Sequence, residues 1–249
     1  MAHRHIMKAF DDDLGALARN ISTMGSFAAE QLTDAVRALL DCDWSLAQRV
    51  IDQDRRIDAL RIELSAAAAT VIARRQPVAT DLEEVLATFR IAEDLERIGD
   101  LAKNIAKRAT TVSTGQFPDD VIVRVEELAS LVQRLLDSAL NTFFSRDPDR
   151  ALTVREQDEQ IDLLHTSLFR ELVNRLSMSP AQAVGLVHLL FCAKNLERIG
   201  DHATHIAEAA YVIATGHKPE KERQRLDKSS TMASTATPEK PSSRKPRRR

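Results

Sequence analysis

Four acidic pairs stand at four-residue spacing in this chain: Asp54 with Asp58, Glu96 with Asp100, Asp158 with Asp162, and Glu197 with Asp201. On a helix, residues four apart share a face, so each pair points both carboxylates the same way. Like charges so placed repel, by roughly a few tenths of a kcal/mol per pair in an isolated helix, and call for compensation. Clustered carboxylates are hard oxygen donors suited to Mg, Mn, Ca or iron, and two helices that each present a pair can hold one or more ions. The opposing reading is that Arg55, Arg56, Arg97 and Arg198 neutralise these acids in ordinary ion pairs on a solvated face.

The setting of the pairs favours the cation. Leu82, Val85, Phe89 and Ala92 form a helical stripe that runs directly into Glu96 and Asp100, and Leu186, Leu190 and Ala193 lead in the same way into Glu197 and Asp201. Carboxylates that continue a core-facing stripe are partly buried, so they require arginines, protonation or a metal. Gly99 and Gly200 lie inside these helical patterns despite a penalty of up to ~1 kcal/mol, which points to close helix approach or a local kink. His205, four residues after Asp201, is placed to add a nitrogen ligand, whereas the matching first-copy residue is Asn104. His202, His188 and His165 read as surface or core histidines, with Asp162 and His165 forming one loose carboxylate–histidine pair.

The elements that position these residues are duplicated. DLERIGDLAKNIA and NLERIGDHATHIA carry ERIGD at Glu96–Asp100 and Glu197–Asp201, 101 residues apart; DQDRRID and EQDEQID, ending at Asp58 and Asp162, precede them 104 residues apart. Asp43 and Asp147 read as helix N-caps, with Pro148 in the favoured first helical position. Thr80 with Glu83, and Ser179 with Gln182, read as capping boxes, with Pro180 at a first helical position. Helices are expected at about 10–41, 44–75, 81–113, 119–145, 148–177 and 180–215, three in each repeat, with connections short enough to force antiparallel packing. The expected organisation is all-α: a first three-helix bundle over 1–114, a second over 115–216, joined near Gly115 to Pro118, and a disordered basic tail over 217–249.

Composition agrees with helices, being 29% charged and 4% aromatic with only 7 glycines in 249 residues. The net charge of -2 hides a split: residues 217–249 hold 11 Lys+Arg against 4 Asp+Glu, leaving 24 against 33 in residues 1–216. An acidic body argues against a nucleic-acid-binding core. Cys42 and Cys192 form no zinc-ligand spacing and read as small buried fillers. No apolar stretch approaches the ~20 residues of a membrane span, and the opening MAHRHIMKAFDDDLG lacks the apolar core of a secretory signal, so a cytoplasmic protein is expected.

The twice-repeated ERIGD followed by NIA or HIA, each preceded by a helix with an acid-x-x-x-Asp motif, resembles the PhoU family over residues 5 to about 215, and the opening HIMKAFDDDLGALARNISTMG is similar to the family's N-terminus. The resemblance implies two three-helix bundles related by a pseudo-twofold internal repeat. It implies that Asp54, Asp58, Glu96, Asp100, Asp158, Asp162, Glu197 and Asp201 bind divalent or trivalent metal ions, whether iron, zinc, manganese or magnesium. It further implies a homodimeric, non-enzymatic negative regulator of phosphate uptake and phosphate-starvation signalling. Such a regulator links the Pst ABC transporter ATPase to a PhoR-type sensor kinase, with no substrate and membrane contact only through its partners. Two features depart from the pattern: His205 stands where Asn is expected after ERIGDHAT, and the basic tail has no counterpart in the family's compact ending.

Two readings from other classes remain. A carboxylate-bridged di-iron oxidase expects Glu-x-x-His on two helices, and the chain contains no such motif. A helical nucleic-acid-binding regulator acting through the tail finds little support in an acidic body with one Trp and one Tyr.

Overall fold

The computed structural model describes residues 2–112, 117–178, 182–220, 223 and 225–231. Among them are six α-helices and no strand: α1 (Ala2–Leu40), α2 (Trp44–Arg75), α3 (Thr80–Ala109), α4 (Asp119–Ser145), α5 (Pro148–Met178) and α6 (Ala183–Thr215), followed by a 3-10 turn at Ser229–Thr231. Helices α1, α2 and α3 pack on one another, as do α4, α5 and α6, and the two bundles meet through α3 against α6 and α1 against α4. The tandem bundle architecture implied by the repeat is therefore present. One apolar core runs through both bundles, from Ile21, Leu32 and Leu39 of α1 through Ile91, Leu95 and Ile98 of α3 to Leu196, Ile199 and Ile206 of α6.

Local chemistry sets most helix ends where the sequence places them. Asp43 caps α2, its Oδ1 accepting from the Leu46 N–H at 2.9 Å. Asp147 does the same for α5, with Oδ1 accepting from the N–H groups of Asp149 and Arg150 at 3.1 and 3.2 Å. The Thr80–Glu83 capping box does not form: Thr80 is already helical, and Ala79 precedes it at φ 51 with no side-chain cap, its carbonyl accepting from the Glu83 N–H. The Ser179–Gln182 box and Pro180 fall partly on residues 179–181, and the Gly115 linker on 113–116, all outside the described residues.

Two helices differ in length from the sequence reading. α1 begins at Ala2 rather than near residue 10. α3 stops at Ala109, four residues short of 113, because the hydroxyls of Thr110 and Thr111 each donate at 2.8 Å to the carbonyls of Lys107 and Arg108 and so satisfy the last turn themselves.

Gly99 and Gly200 owe their place to close helix approach. A Cβ built on Gly99 would lie 2.8 Å from Ile57 Cδ1 of α2, and one on Gly200 would lie 3.1 Å from Asp158 Oδ1 and 3.3 Å from Ile161 Cδ1 of α5. Ile57 and Ile161 occupy equivalent positions in the two repeats. The missing side chains thus let the two acid-bearing helices of each bundle nest directly beside their carboxylates.

Cys192 is fully buried, and burial pushes its thiol up to about 12, consistent with an inert filler; Cys42 is half-buried at the α1–α2 turn. No helix among the described residues is long and apolar enough to cross a membrane.

Candidate functional site

All eight carboxylates singled out by spacing are buried or half-buried, so none forms part of a solvated face. Asp158, Asp162 and Glu197 are 1%, 2% and 5% exposed and Asp54 is 9%, which makes the second cluster the deeper of the two. In the first bundle Asp54 and Asp58 of α2 face Glu96 and Asp100 of α3. The Lys103 ammonium donates to Asp54 Oδ2 and to Asp100 Oδ1, at 2.6 Å each. Burial opposes its charge, yet these two hydrogen bonds outweigh it and hold the Lys103 pKa above its ordinary value. Asp54 Oδ1 is buried with no hydrogen-bond partner. Burial raises the Glu96 pKa, and the negative charges of Asp100 and Asp58 add to the rise.

The second cluster is neutralised differently. The position equivalent to Lys103 is Thr204, whose hydroxyl donates back to the Gly200 carbonyl at 3.0 Å. The missing cation comes from beyond α6, which ends in a left-handed cap at Gly216: Arg223 pairs with both Asp158 and Asp201. The Leu226 N–H donates to Asp162 Oδ2 at 2.7 Å. Asp227 accepts from Lys194 Nζ at 2.9 Å and lies 3.2 Å from His165 Nδ1, while Lys194 also pairs with Glu197 Oε2 at 2.7 Å. The described part of the stretch read as a free tail is therefore a strap across the second acidic cluster.

The charge balance remains strained. Burial is the main cause that lifts Glu197 to about 7, against Lys194, and Asp158 to about 6, against Arg223. For Asp227 burial is outweighed by the hydrogen bonds from Lys194 and Ser229, which hold its carboxyl well below the usual range. Buried carboxylates with raised pKa values bind protons more tightly folded than unfolded, so their stabilising contribution is lost as pH rises through the folded values. The stability contributed by these two groups in the metal-free protein is therefore expected to fall between about pH 4 and 7. Buried His165, its pKa lowered by desolvation, acts in the opposite sense below 6.5. Glu197→Gln should flatten the fall in a series of urea unfolding curves; an unchanged slope would remove Glu197 as its source.

These clusters fit a multivalent cation in donor type and in the unpartnered oxygen of Asp54. The carboxylates do not already converge as a ligand set, because an ammonium or a guanidinium stands between them. Of the arginines considered as neutralisers, Arg97 does pair, at 3.5 Å to Glu96 and 3.3 Å to Asp100, while Arg56 stacks over the Phe27 ring at 4.7 Å.

Among the described residues, three potential metal-ligand atoms come within 4.8 Å of one another only at Asp94, His202 and His205. His205 does not join Asp201, and His165 pairs with Asp227 rather than Asp162. Sequence reasoning passed over Asp94 because it lies two residues before Glu96, on a different face of α3. Lys103 was visible as an i,i+3 partner of Asp100; Arg223 and Asp227 carry no periodic signal.

The geometry is that of two three-helix bundles, each with an acid-x-x-x-Asp motif on two helices packed against each other. The PhoU domain profile matches residues 21–109 and 125–210. A phosphate-specific transport system accessory protein PhoU homolog from Rhizobium meliloti is 47% identical over 234 residues, 94% of this chain and 99% of the relative. One of the same description from Caulobacter vibrioides is 38% identical over 223 residues, 90% and 97% of the two chains. The crystal structure of PhoU from Pseudomonas aeruginosa superposes with a TM-score of 0.80 at 34% identity, covering 84% of this chain and all of that one. The chain belongs to the PhoU family, a family of regulatory accessory proteins rather than enzymes.

Proposed function

We propose that this protein is a cytoplasmic, metal-binding negative regulator of phosphate uptake and phosphate-starvation signalling. As a homodimer it couples a Pst-type transporter ATPase to a PhoR-type sensor histidine kinase. The supporting observation is the near full-length similarity to relatives named as accessory proteins of phosphate-specific transport, combined with the intact acid-x-x-x-Asp pairs in both repeats. Asp54, Asp58, Glu96 and Asp100 would hold one set of ions, and Asp158, Asp162, Glu197 and Asp201 the other. The ions, whether iron, zinc, manganese or magnesium, supply fixed positive charge between two helices.

The chain's own residues do the rest. The glycines bring the acid-bearing helices together, and the rigid bundles present the charged face to the partner. Deleting the gene is expected to raise alkaline phosphatase output in phosphate-rich medium, with low output restored by the full-length protein. Unchanged output on deletion would count against the repressor reading. Asp54→Asn with Asp100→Asn should lower bound metal on elemental analysis, and an unchanged content would remove the first cluster as a metal site.

A further inference from the structure

We propose that Asp94, His202 and His205 form a separate cation site, of the zinc or cobalt class, in the seam between the two bundles. His202 and His205 stand three residues apart on α6 and so share the face that meets α3, where Asp94 projects between them. Both imidazoles turn the same atom towards the same oxygen: His202 Nδ1 lies 2.8 Å and His205 Nδ1 3.4 Å from Asp94 Oδ1. A four-coordinate zinc ion, with bonds of about 2.0–2.2 Å, keeps neighbouring ligand atoms about 3.3 Å apart. Small side-chain rotations would therefore seat an ion among three groups that are already clustered.

The surroundings fit an open rather than a closed site. Asp94 and His202 have side chains 16% and 19% exposed, which leaves them held by packing, while His205 is 42% exposed. Asp94 and His205 also line a cavity of about 550 Å³ together with Glu208 and Arg155, themselves paired at 2.9 Å. Three protein ligands with a fourth position facing such a cavity leave room for water or an exchangeable ligand.

The donor set separates this site from the carboxylate clusters. Two imidazoles and one carboxylate favour Zn(II), Co(II) or Ni(II), whereas all-oxygen clusters suit harder ions. The internal repeat makes the same distinction, since the positions equivalent to Asp94, His202 and His205 are Asn195, Leu101 and Asn104. No second copy exists in the repeat, and the site is not part of the duplicated design. Occupied, it would tie α3 of the first bundle to α6 of the second and so fix how the bundles sit on each other.

The test is a titration of metal-stripped, full-length protein with Co(II), read in the visible absorption bands of the cobalt ion. One equivalent per chain is expected to give the intense bands of four-coordinate cobalt, bleached by Zn(II) and not by excess Mg(II). His205→Asn, on a side chain 42% exposed and giving the residue found at the equivalent first-repeat position, should weaken binding at least tenfold, as should Asp94→Asn. His202→Ala with His205→Asn should abolish the bands, while Asp54→Asn with Asp100→Asn leaves them intact. Bands that persist in the double histidine variant, for instance from His3 and His5 near the N-terminus, would overturn the assignment, as would the absence of any bands in the unaltered protein. Because the two pairs of substitutions touch different sites, loss of the carboxylate clusters and loss of this site are read separately.

Discussion

Ending the chain at Gly216 is expected to lower the melting temperature of the metal-free protein by several degrees at pH 7.5, and to make the loss recoverable with a divalent cation. The segment removed carries Arg223, which pairs with Asp158 and Asp201, and the Leu226 N–H, which donates to Asp162. Asp158 is 1% exposed, and removing one partner of a buried ion pair destabilises by about 3–5 kcal/mol because an uncompensated charge is left behind. In a domain of this size each kcal/mol shifts the melting temperature by about 2–4 °C. The loss should shrink near pH 5.5, where Asp158, pushed up to about 6, takes a proton instead of a cation. A cation that binds only the folded state stabilises by about 2.7 kcal/mol at a hundred times its dissociation constant. Mg(II) or Mn(II) should therefore restore much of the loss in the shortened chain and raise the full-length protein less, since there it must displace Arg223. Arg223→Ala is the point version and should reproduce the effect in part. Equal melting of shortened and full-length chains without metal would show that the strap contributes nothing.

The strap also marks the limit of what the sequence discloses. The six helices, their antiparallel order and the facing acids follow from patterns of local origin: caps at Asp43 and Asp147, a 3.6-residue apolar stripe, and a repeat that fixes the same layout twice. Such patterns report which face of a helix is buried, and they correctly place Glu96 and Asp100 at the end of a core stripe. They do not report which distant residue completes a charge balance. Substitution of Lys103 by Thr204 in the second copy is visible on aligning the repeats and signals a missing cation there; that Arg223 supplies it depends on how the chain turns at Gly216. The Asp94–His202–His205 cluster escapes for a related reason. Its members lie on helices from different bundles, and their meeting is set by the α3–α6 packing, for which neither helix alone carries a spacing signal. Low apolar content makes residues 217–249 read as a disordered tail, yet Arg223 and residues 226–229 are held by polar contacts, with Asp227 bound by Lys194 and Ser229, rather than by a core of their own.

Gly99→Val is expected to destabilise the protein by about 1–3 kcal/mol through overpacking and to weaken the metal binding proposed for the first cluster, with every carboxylate still present. The new side chain would enter space held by Ile57 and by Gln31, which are 0% and 1% exposed, with Ile57 Cδ1 only 2.8 Å and Gln31 Oε1 3.0 Å from the added Cβ. α2 must then move away from α3, and Asp54 from Asp100, which a single Lys103 now bridges at 2.6 Å on each side. Gly99→Ala should cost far less, because the close atom on Ile57 is the end of a rotatable side chain and alanine gains up to ~1 kcal/mol in helix propensity. Ile57→Val removes that end atom, so combining it with Gly99→Ala should recover stability relative to the sum of the single changes. Urea unfolding of the four proteins measures the coupling, and metal titration of Gly99→Val measures the separation of the acids. Strict additivity in the cycle, together with unaltered metal affinity in Gly99→Val, would mean that the glycine is tolerated in α3 without setting the distance between the two helices.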